Sequence, residues 1–267
     1  MSLEAAGLRL QYGDKVVADN MTVAIDKAEI ISIIGPNGSG KSTLLKALGR
    51  LLKPSSGTVL LDGKDIQLLN PAEVAKKMAI LPQTTAAPGD MTVEDLVWYG
   101  RMPHHSMFVA NKQERDKQAI MDALQATGLM DMRFRRLATL SGGERQRAWL
   151  AMAIAQQPRI LLLDEPTTYL DIRYQLELMK LVVNLHKKFG ITVIMVLHDL
   201  NHAARFSQRL IAVKQGKIVA DGAVENIFTE AILSKLYDVS TSVVTIKHDD
   251  AEHLVCLPHD VCVAVGA

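Results

Sequence analysis

Eight consecutive residues restrict this chain more than any others: Gly35, Pro36, Asn37, Gly38, Ser39, Gly40, Lys41 and Ser42 match the pattern G-x-x-x-x-G-K-[ST]. They lie between an apolar run, Ile30 to Ile34, and a helical run, Lys41 to Leu48. The segment therefore reads as strand, glycine-rich turn, helix, the context that the pattern requires. Glycines let the backbone curl so that successive N–H groups point inward on a phosphate, and the positive end of the following helix adds to that field. Lys41 would reach the β- and γ-phosphates, and the Ser42 hydroxyl would ligate Mg²⁺.

The surrounding pattern is α/β. Leu8, Leu10 and Tyr12 fall on one face of a predicted strand; Gly13 and Asp14 mark a turn; Val17, Met21, Val23 and Ile25 follow. Short strands are predicted at Thr58 to Leu61 and Met78 to Leu81. From about Thr92 to Gln157 helical periodicity dominates, which reads as an inserted helical subdomain. After Pro158 strands and helices alternate again: strand Ile160 to Leu163, helix Ile172 to Phe189, strand Ile191 to Leu197, helix Asp199 to Ser207, strand Leu210 to Val213. Such alternation predicts a mostly parallel sheet covered on both faces. The remainder, after about Asp238, reads as a small β appendage.

Composition excludes several classes. Among 267 residues, 30 Lys and Arg face 29 Asp and Glu, so no chain-wide basic field exists for nucleic acid or anionic lipid. The apolar runs, such as Ile191 to Leu197, fall short of the roughly 18 to 20 residues that a spanning helix needs. The first residues carry no cationic segment followed by an apolar stretch, so a cytoplasmic chain is expected. The two cysteines come late and suit a reducing compartment.

A Mg²⁺-nucleotide site also needs a carboxylate at a strand end. Ile160 to Leu163 lead into Asp164 and Glu165, which point in different directions. One can hold the metal's water shell while the other takes a proton from an attacking water. Leu140, Ser141, Gly142, Gly143, Glu144, Arg145 and Gln146 then form a turn that Ser141 can cap, with two glycines leaving the helix N-terminus bare for an anion.

That last segment, with the phosphate loop and the Asp164–Glu165 pair, resembles the ATP-binding cassette family over about Leu3 to Tyr237. The resemblance implies a P-loop NTPase of ABC type: a mostly parallel sheet core, an N-terminal antiparallel β subdomain and an inserted helical subdomain. The domain expected is 1–238, with the insertion at about 92–157 and the β appendage at 239–267. ATP and Mg²⁺ are the implied cofactors. Tyr12 corresponds to the aromatic that stacks on adenine, and Thr43 completes the loop's nucleotide contacts. Ser42, Gln83 and Asp164 are the implied metal ligands. Glu165 is the general base, His198 its orienting partner at the γ-phosphate, and Gln83 touches the attacking water. Ser141, Gly142 and Gly143 would contact ATP held on the loop of a second copy, which implies a head-to-tail homodimer. Asp171 lies in the dimer-contact loop, where Thr168 and Tyr169 replace the usual small residues; it also suits an N-cap.

Within that family, a spanless single cassette resembles the motor subunits of bacterial importers. Tyr99 to His104, Arg147 to Gln156, Thr167 to Ile172 and His198 to Asn201 resemble the subgroup serving iron–siderophore, haem and cobalamin uptake. Siderophore import is the expectation, with haem or cobalamin import as alternatives. The implied partners are membrane permease subunits and, indirectly, a substrate-binding protein, at the cytoplasmic face of the membrane and with no nucleic acid. A soluble cassette ATPase of iron–sulfur assembly, ribosome work or DNA repair would share every ATP residue, and a non-enzymatic nucleotide-binding regulator is a further rival. Two features outside this pattern read plainly. His248, His253, Cys256, His259 and Cys262 are local soft ligands without a standard zinc spacing, better read as a hairpin about Pro258, His259 and Asp260 with its cysteines face to face. Arg133 to Arg136 reads as a solvated basic face.

Overall fold

Alternating residues at the start of the chain pair as an antiparallel hairpin, β1 (Leu3–Tyr12) with β2 (Lys15–Ile25), across Gly13 and Asp14. The computed structural model describes residues 2–83, 88–105, 113–248 and 251–261. Leu8 and Leu10 are buried as their spacing predicts, but Tyr12 at the strand end is 49% exposed. On β2 the inward position falls to Ala18 rather than Val17, and a left-handed Asn20 (φ 54°) then resets the alternation so that Met21, Val23 and Ile25 face inward. Such an irregularity is what keeps two unequal apolar spacings on one buried face.

The described chain divides into two compact units, Met1–Gln67 with Ile194–Ala267 and Leu68–Val193. In the first, β3 (Ile30–Ile34) is buried at every position and leads through the glycine-rich turn into α1 (Lys41–Leu48). β4 (Ser56–Leu61) and β5 (Lys64–Asp65) extend the antiparallel sheet in the order β2-β1-β4-β5.

The second unit opens with α2 (Pro71–Lys77), capped by Asn70, and continues directly into β6 (Met78–Leu81). Among the described residues the α-helices α3 (Val93–Tyr99), α4 (Gln113–Ala126) and α5 (Gly142–Ala155) follow. β7 (Ile160–Asp164) pairs with β6 in parallel and is buried throughout. α6 (Ile172–Phe189) starts at an Asp171 cap and stops at Gly190 (φ 63°), a left-handed position that glycine adopts without strain. β8 (Thr192–Val196) carries the chain back to the first unit.

The first unit is completed by α7 (Leu200–Phe206), β9 (Arg209–Lys214), β10 (Lys217–Ala223), α8 (Val224–Ile227), α9 (Glu230–Tyr237) and the hairpin β11 (Val239–His248) with β12 (Ala251–Val261). β9 pairs with β3 in parallel and with β10 antiparallel. The fold is thus mixed α/β, mostly parallel in its sheet core, with an antiparallel β subdomain. β3, β7 and β8 are buried at every position and are apolar except for Ser32, Asp164 and Thr192, as expected of strands covered on both faces.

The C-terminal hairpin differs from the expected one. Cys256 to Asp260 lie within one strand, paired along its length with β11, so Pro258, His259 and Asp260 are not a hairpin tip. Pro258 faces Thr241 beside the ladder's one irregularity, where a missing N–H is tolerated. Cys256 opposes Val243 and is buried; Cys262 lies outside the described residues. His259 bonds Ser242 Oγ at 2.8 Å, and among the described residues no group of three or more His, Cys, Asp or Glu could hold a metal ion.

The helical stretch is fastened by a buried ion pair. Arg101, 4% exposed just after α3, donates from Nε to Asp116 Oδ1 of α4 at 2.8 Å, and from one terminal nitrogen to the Ala155 carbonyl at 2.6 Å and Gln157 Oε1 at 3.1 Å. The preceding Gly100 is required by packing, since a Cβ there would sit 2.1 Å from the Met152 carbonyl oxygen. The basic run Arg133 to Arg136 is not simply solvated: the Arg135 and Arg133 carbonyls accept the N–H groups of Val93 and Glu94 and so close the first turn of α3.

Candidate active site

In the first unit the phosphate loop is shaped by its left-handed glycines and, at Gly35, by a neighbour that leaves no room for a side chain. Gly35 (φ 146°) runs so close to β9 that a Cβ would meet the Val213 carbonyl oxygen at 2.0 Å. Gly40 (φ 104°) precedes α1 and presents its first turn without any side-chain cap. That bare turn is the part of a helix most suited to an anion. Lys41 is 5% exposed, its Nζ donating to the Gly35 and Pro36 carbonyls at 2.8 and 3.0 Å, so the cation is stored over the loop itself. Ser39 accepts the Gly216 N–H at 3.0 Å on its carbonyl, and the Gly216 carbonyl in turn accepts from Asp19, which ties the loop to β2. His198 follows Leu197, whose N–H reaches the Ile33 carbonyl of β3 at 3.3 Å; this places the histidine turn beside the strand that feeds the loop. One contact has no counterpart in any sequence motif: the Gly35 N–H donates to Tyr237 Oη at 2.8 Å. Burial pushes the Tyr237 phenol pKa up, so the hydroxyl stays neutral and can accept.

In the second unit the carboxylates end β7. Asp164 is 4% exposed, and Glu165 adopts a left-handed backbone (φ 52°). A non-glycine residue in that region is held there by its surroundings, at a cost of about 1 kcal/mol or more. The Thr168 N–H donates to the Glu165 carbonyl at 3.2 Å, and the side chain is gripped as well: Gln83 Nε2 donates to Glu165 Oε2 at 2.6 Å, and Thr168 Oγ1 reaches the same oxygen at 3.3 Å. Gln83 and Glu165, far apart in sequence, are thereby brought together, and the Gln83 amide oxygen is a donor of the kind a hard cation takes. Gln175 closes the following loop by donating to the Leu170 carbonyl at 3.1 Å. Asp171 Oδ1 accepts from Tyr174 N–H at 3.0 Å as the α6 cap, and Tyr169 (φ 66°) stands 96% exposed beside it.

The start of α5 has the same economy. Ser141 Oγ accepts the Glu144 N–H at 3.3 Å, and Glu144 Oε2 accepts the Ser141 N–H at 2.8 Å, a reciprocal capping box. The Ser141 N–H and hydroxyl hold the Glu144 carboxyl below the usual range. Gly143 is buried against the Tyr174 ring, which a Cβ would meet at 2.7 Å, whereas Ser141 and Gly142 are exposed. Ser141→Ala is expected to destabilise α5 by about 1 kcal/mol, read from the urea midpoint. Gln83, Glu165, Ser141 and Asp171 were all legible as motif residues; Thr168 was read only as a replacement in the dimer-contact loop, and Gln175 and Tyr237 carried no sequence signal, the role of Tyr237 depending on a contact 202 positions away.

A phosphate loop on a buried parallel strand, a carboxylate pair closing another, and a glycine turn capped by Ser141 define a nucleoside triphosphatase of the cassette type. The sequence family described as "ABC transporter" matches residues 18–168. The iron(3+)-hydroxamate import ATP-binding protein FhuC of Bacillus subtilis (strain 168) is 44% identical over 259 residues, 97% of this chain and 95% of that protein. The ferric enterobactin transport ATP-binding protein FepC of Escherichia coli (strain K12) is 46% identical, over 91% of this chain and 89% of that one. Among solved structures, an inward-facing transporter assigned to the metal-chelate type matches with a TM-score of 0.83 and 26% identity, over 97% of each chain. The dimeric bacterial cassette MJ0796 matches with a TM-score of 0.71 and 29% identity, over 83% of this chain and 98% of that one. The chain belongs to the ABC transporter family. Its members bind ATP, and this chain is an ATPase. Among the described residues no helix is long and apolar enough to cross a membrane.

Proposed function

We propose that this chain is the ATP-hydrolysing motor subunit of a bacterial importer of iron–siderophore complexes. The observation that carries the reading is 44 to 46% identity, across most of the chain, to import and transport ATP-binding proteins for iron(3+)-hydroxamate and ferric enterobactin. Cargo is selected elsewhere in such a system, by permease subunits and a substrate-binding protein; this chain supplies ATP turnover from the cytoplasmic face of the membrane. The cassette is 1–238, its helical insertion at about 92–157 is offered to the permease, and 239–267 is a β appendage.

Each residue has a defined task. Tyr12, exposed at the end of β1, stacks on adenine. The loop from Gly35 through Pro36, Asn37, Gly38 and Ser39 to Gly40, with Lys41, Ser42 and Thr43, binds the phosphates. Ser42, Gln83 and Asp164 provide a hydroxyl, an amide oxygen and a carboxylate, the oxygen donors that a hard cation such as Mg²⁺ prefers. When bound, that ion offsets phosphate charge. Glu165 takes the proton of the attacking water, oriented by Gln83, and His198 contacts the γ-phosphate and orients Glu165. The exposed Ser141 and Gly142, with Gly143 behind them, contact ATP on a second copy, and Asp171 lies in the loop that meets that copy.

Two copies then enclose two ATP molecules and drive the permease. In the native cell, the chain is expected to sediment with membranes and to co-purify, after mild detergent, with a multi-spanning protein encoded for siderophore uptake. Recovery with a soluble scaffold and no membrane protein would replace this reading with that of a soluble cassette ATPase.

A further inference from the structure

The end of α9 reaches the phosphate loop from two sides. Tyr237, its last residue, accepts the Gly35 N–H at 2.8 Å, at the loop's start. Asp238 turns left-handed (φ 57°) and accepts from Lys214 Nζ on both carboxylate oxygens, at 2.7 and 2.8 Å. The same Nζ donates to the Lys235 carbonyl at 2.6 Å. Lys214 ends β9, and two residues later Gly216 donates its N–H to the Ser39 carbonyl near the loop's other end.

From Asp238 the chain passes straight into β11. The Val243 N–H donates to Glu230 Oε1 at 2.9 Å, and the Ser234 and Thr241 hydroxyls meet at 3.1 Å, so the hairpin is fastened to α9. On its other strand, the Cys256 N–H donates to Asn201 Oδ1 at 2.8 Å. Asn201 is the second residue of α7, whose Asp199 cap directly follows His198. At the other end of α7, Ser207 Oγ meets Ser32 Oγ of β3 at 2.7 Å. One C-terminal element therefore grips the phosphate loop through α9 and the histidine turn through β12.

We infer that α9 and the β11–β12 hairpin are a positioning device for ATP turnover, in which Tyr237 sets the phosphate loop and Asn201 sets the turn that carries His198. Loop N–H groups bind phosphate only when their peptide planes converge on it, and Gly35, free of a side chain, gains its orientation from the Tyr237 hydroxyl. Tyr237 and Asn201 touch no reacting atom; each acts through another residue. The inference rests on the proposed roles of the loop and of His198.

The test uses the full-length chain with Mg²⁺, trinitrophenyl-ATP as the binding probe and ATP for turnover. Tyr237→Phe is expected to weaken probe binding about threefold to tenfold, the range of one hydrogen bond, with kcat at saturating ATP changed less than about twofold. Asn201→Ala is expected to show the opposite split, a kcat lowered about threefold to tenfold and unchanged probe affinity. Unaltered affinity in Tyr237→Phe, or affinity and kcat falling together in both variants alongside a lower melting temperature, overturns the inference. Lys41→Ala separates it from the reading beneath it. If Lys41→Ala binds the probe as tightly as the parent, the phosphate-loop assignment itself falls; if only Tyr237→Phe is silent, the positioning device alone is refuted.

Discussion

Glu165→Gln is expected to lower ATP turnover about a hundredfold to ten-thousandfold, the span that a positioned general base supplies, while ATP binding stays near that of the parent. The amide has the shape of the carboxyl and keeps an oxygen that can accept from Gln83, which donates to Glu165 Oε2 at 2.6 Å. The left-handed backbone of Glu165 is set by the strand end and the Thr168 turn, and an amide does not disturb it. What disappears is the charge and the lone pair basic enough to take a proton from water. ATP-bound dimers should therefore accumulate, visible as earlier elution in the presence of ATP, and single-turnover assays should show bound, unhydrolysed nucleotide. Turnover close to the parental rate would remove Glu165 from this role.

Arg101→Leu is expected to cost about 3 to 5 kcal/mol of stability, because it strands a buried carboxylate. Asp116 is 4% exposed and loses its 2.8 Å partner, keeping among the described residues only His105 Nε2 at 3.3 Å from Oδ2. The Ala155 carbonyl and Gln157 Oε1 lose a donor as well. Replacing Asp116 with Leu in addition removes the stranded charge and should recover most of the loss, the residue being the unsatisfied carbonyl at about 1 to 3 kcal/mol. Urea unfolding of the two single variants and the double variant measures the coupling directly. Simple additivity of the two single effects would show that the pair is not coupled as described.

Local chemistry was legible in the sequence where a residue acts on its own segment. The ends of α6 follow from Asp171 and Gly190, and those of α1 from Gly40 and Gly49, because caps and glycines act within one turn. The Ser141 capping box was readable for the same reason. The C-terminal hairpin was not: symmetric apolar triplets around Pro258 suggested a turn, but pairing with β11 overrode that local signal and carried the strand through the proline. At the site, motif spacing marked Glu165 and Gln83 but not the bond between them. Tyr237 gave no sign at all, since nothing in its own segment says that its hydroxyl meets Gly35.

That last contact also sets an order on synthesis. The second unit, Leu68–Val193, is continuous in the chain, whereas the first is finished only by residues after Ile194. A ribosome adding about 5 to 20 residues per second makes Gly35 some 10 to 40 s before Tyr237 exists, given their separation of 202 positions. The newborn phosphate loop thus lacks its hydroxyl partner until residue 237 has been made. Nucleotide can meet a fully set loop only after α9 has left the ribosome, so the ATP site is assembled from segments made far apart in time.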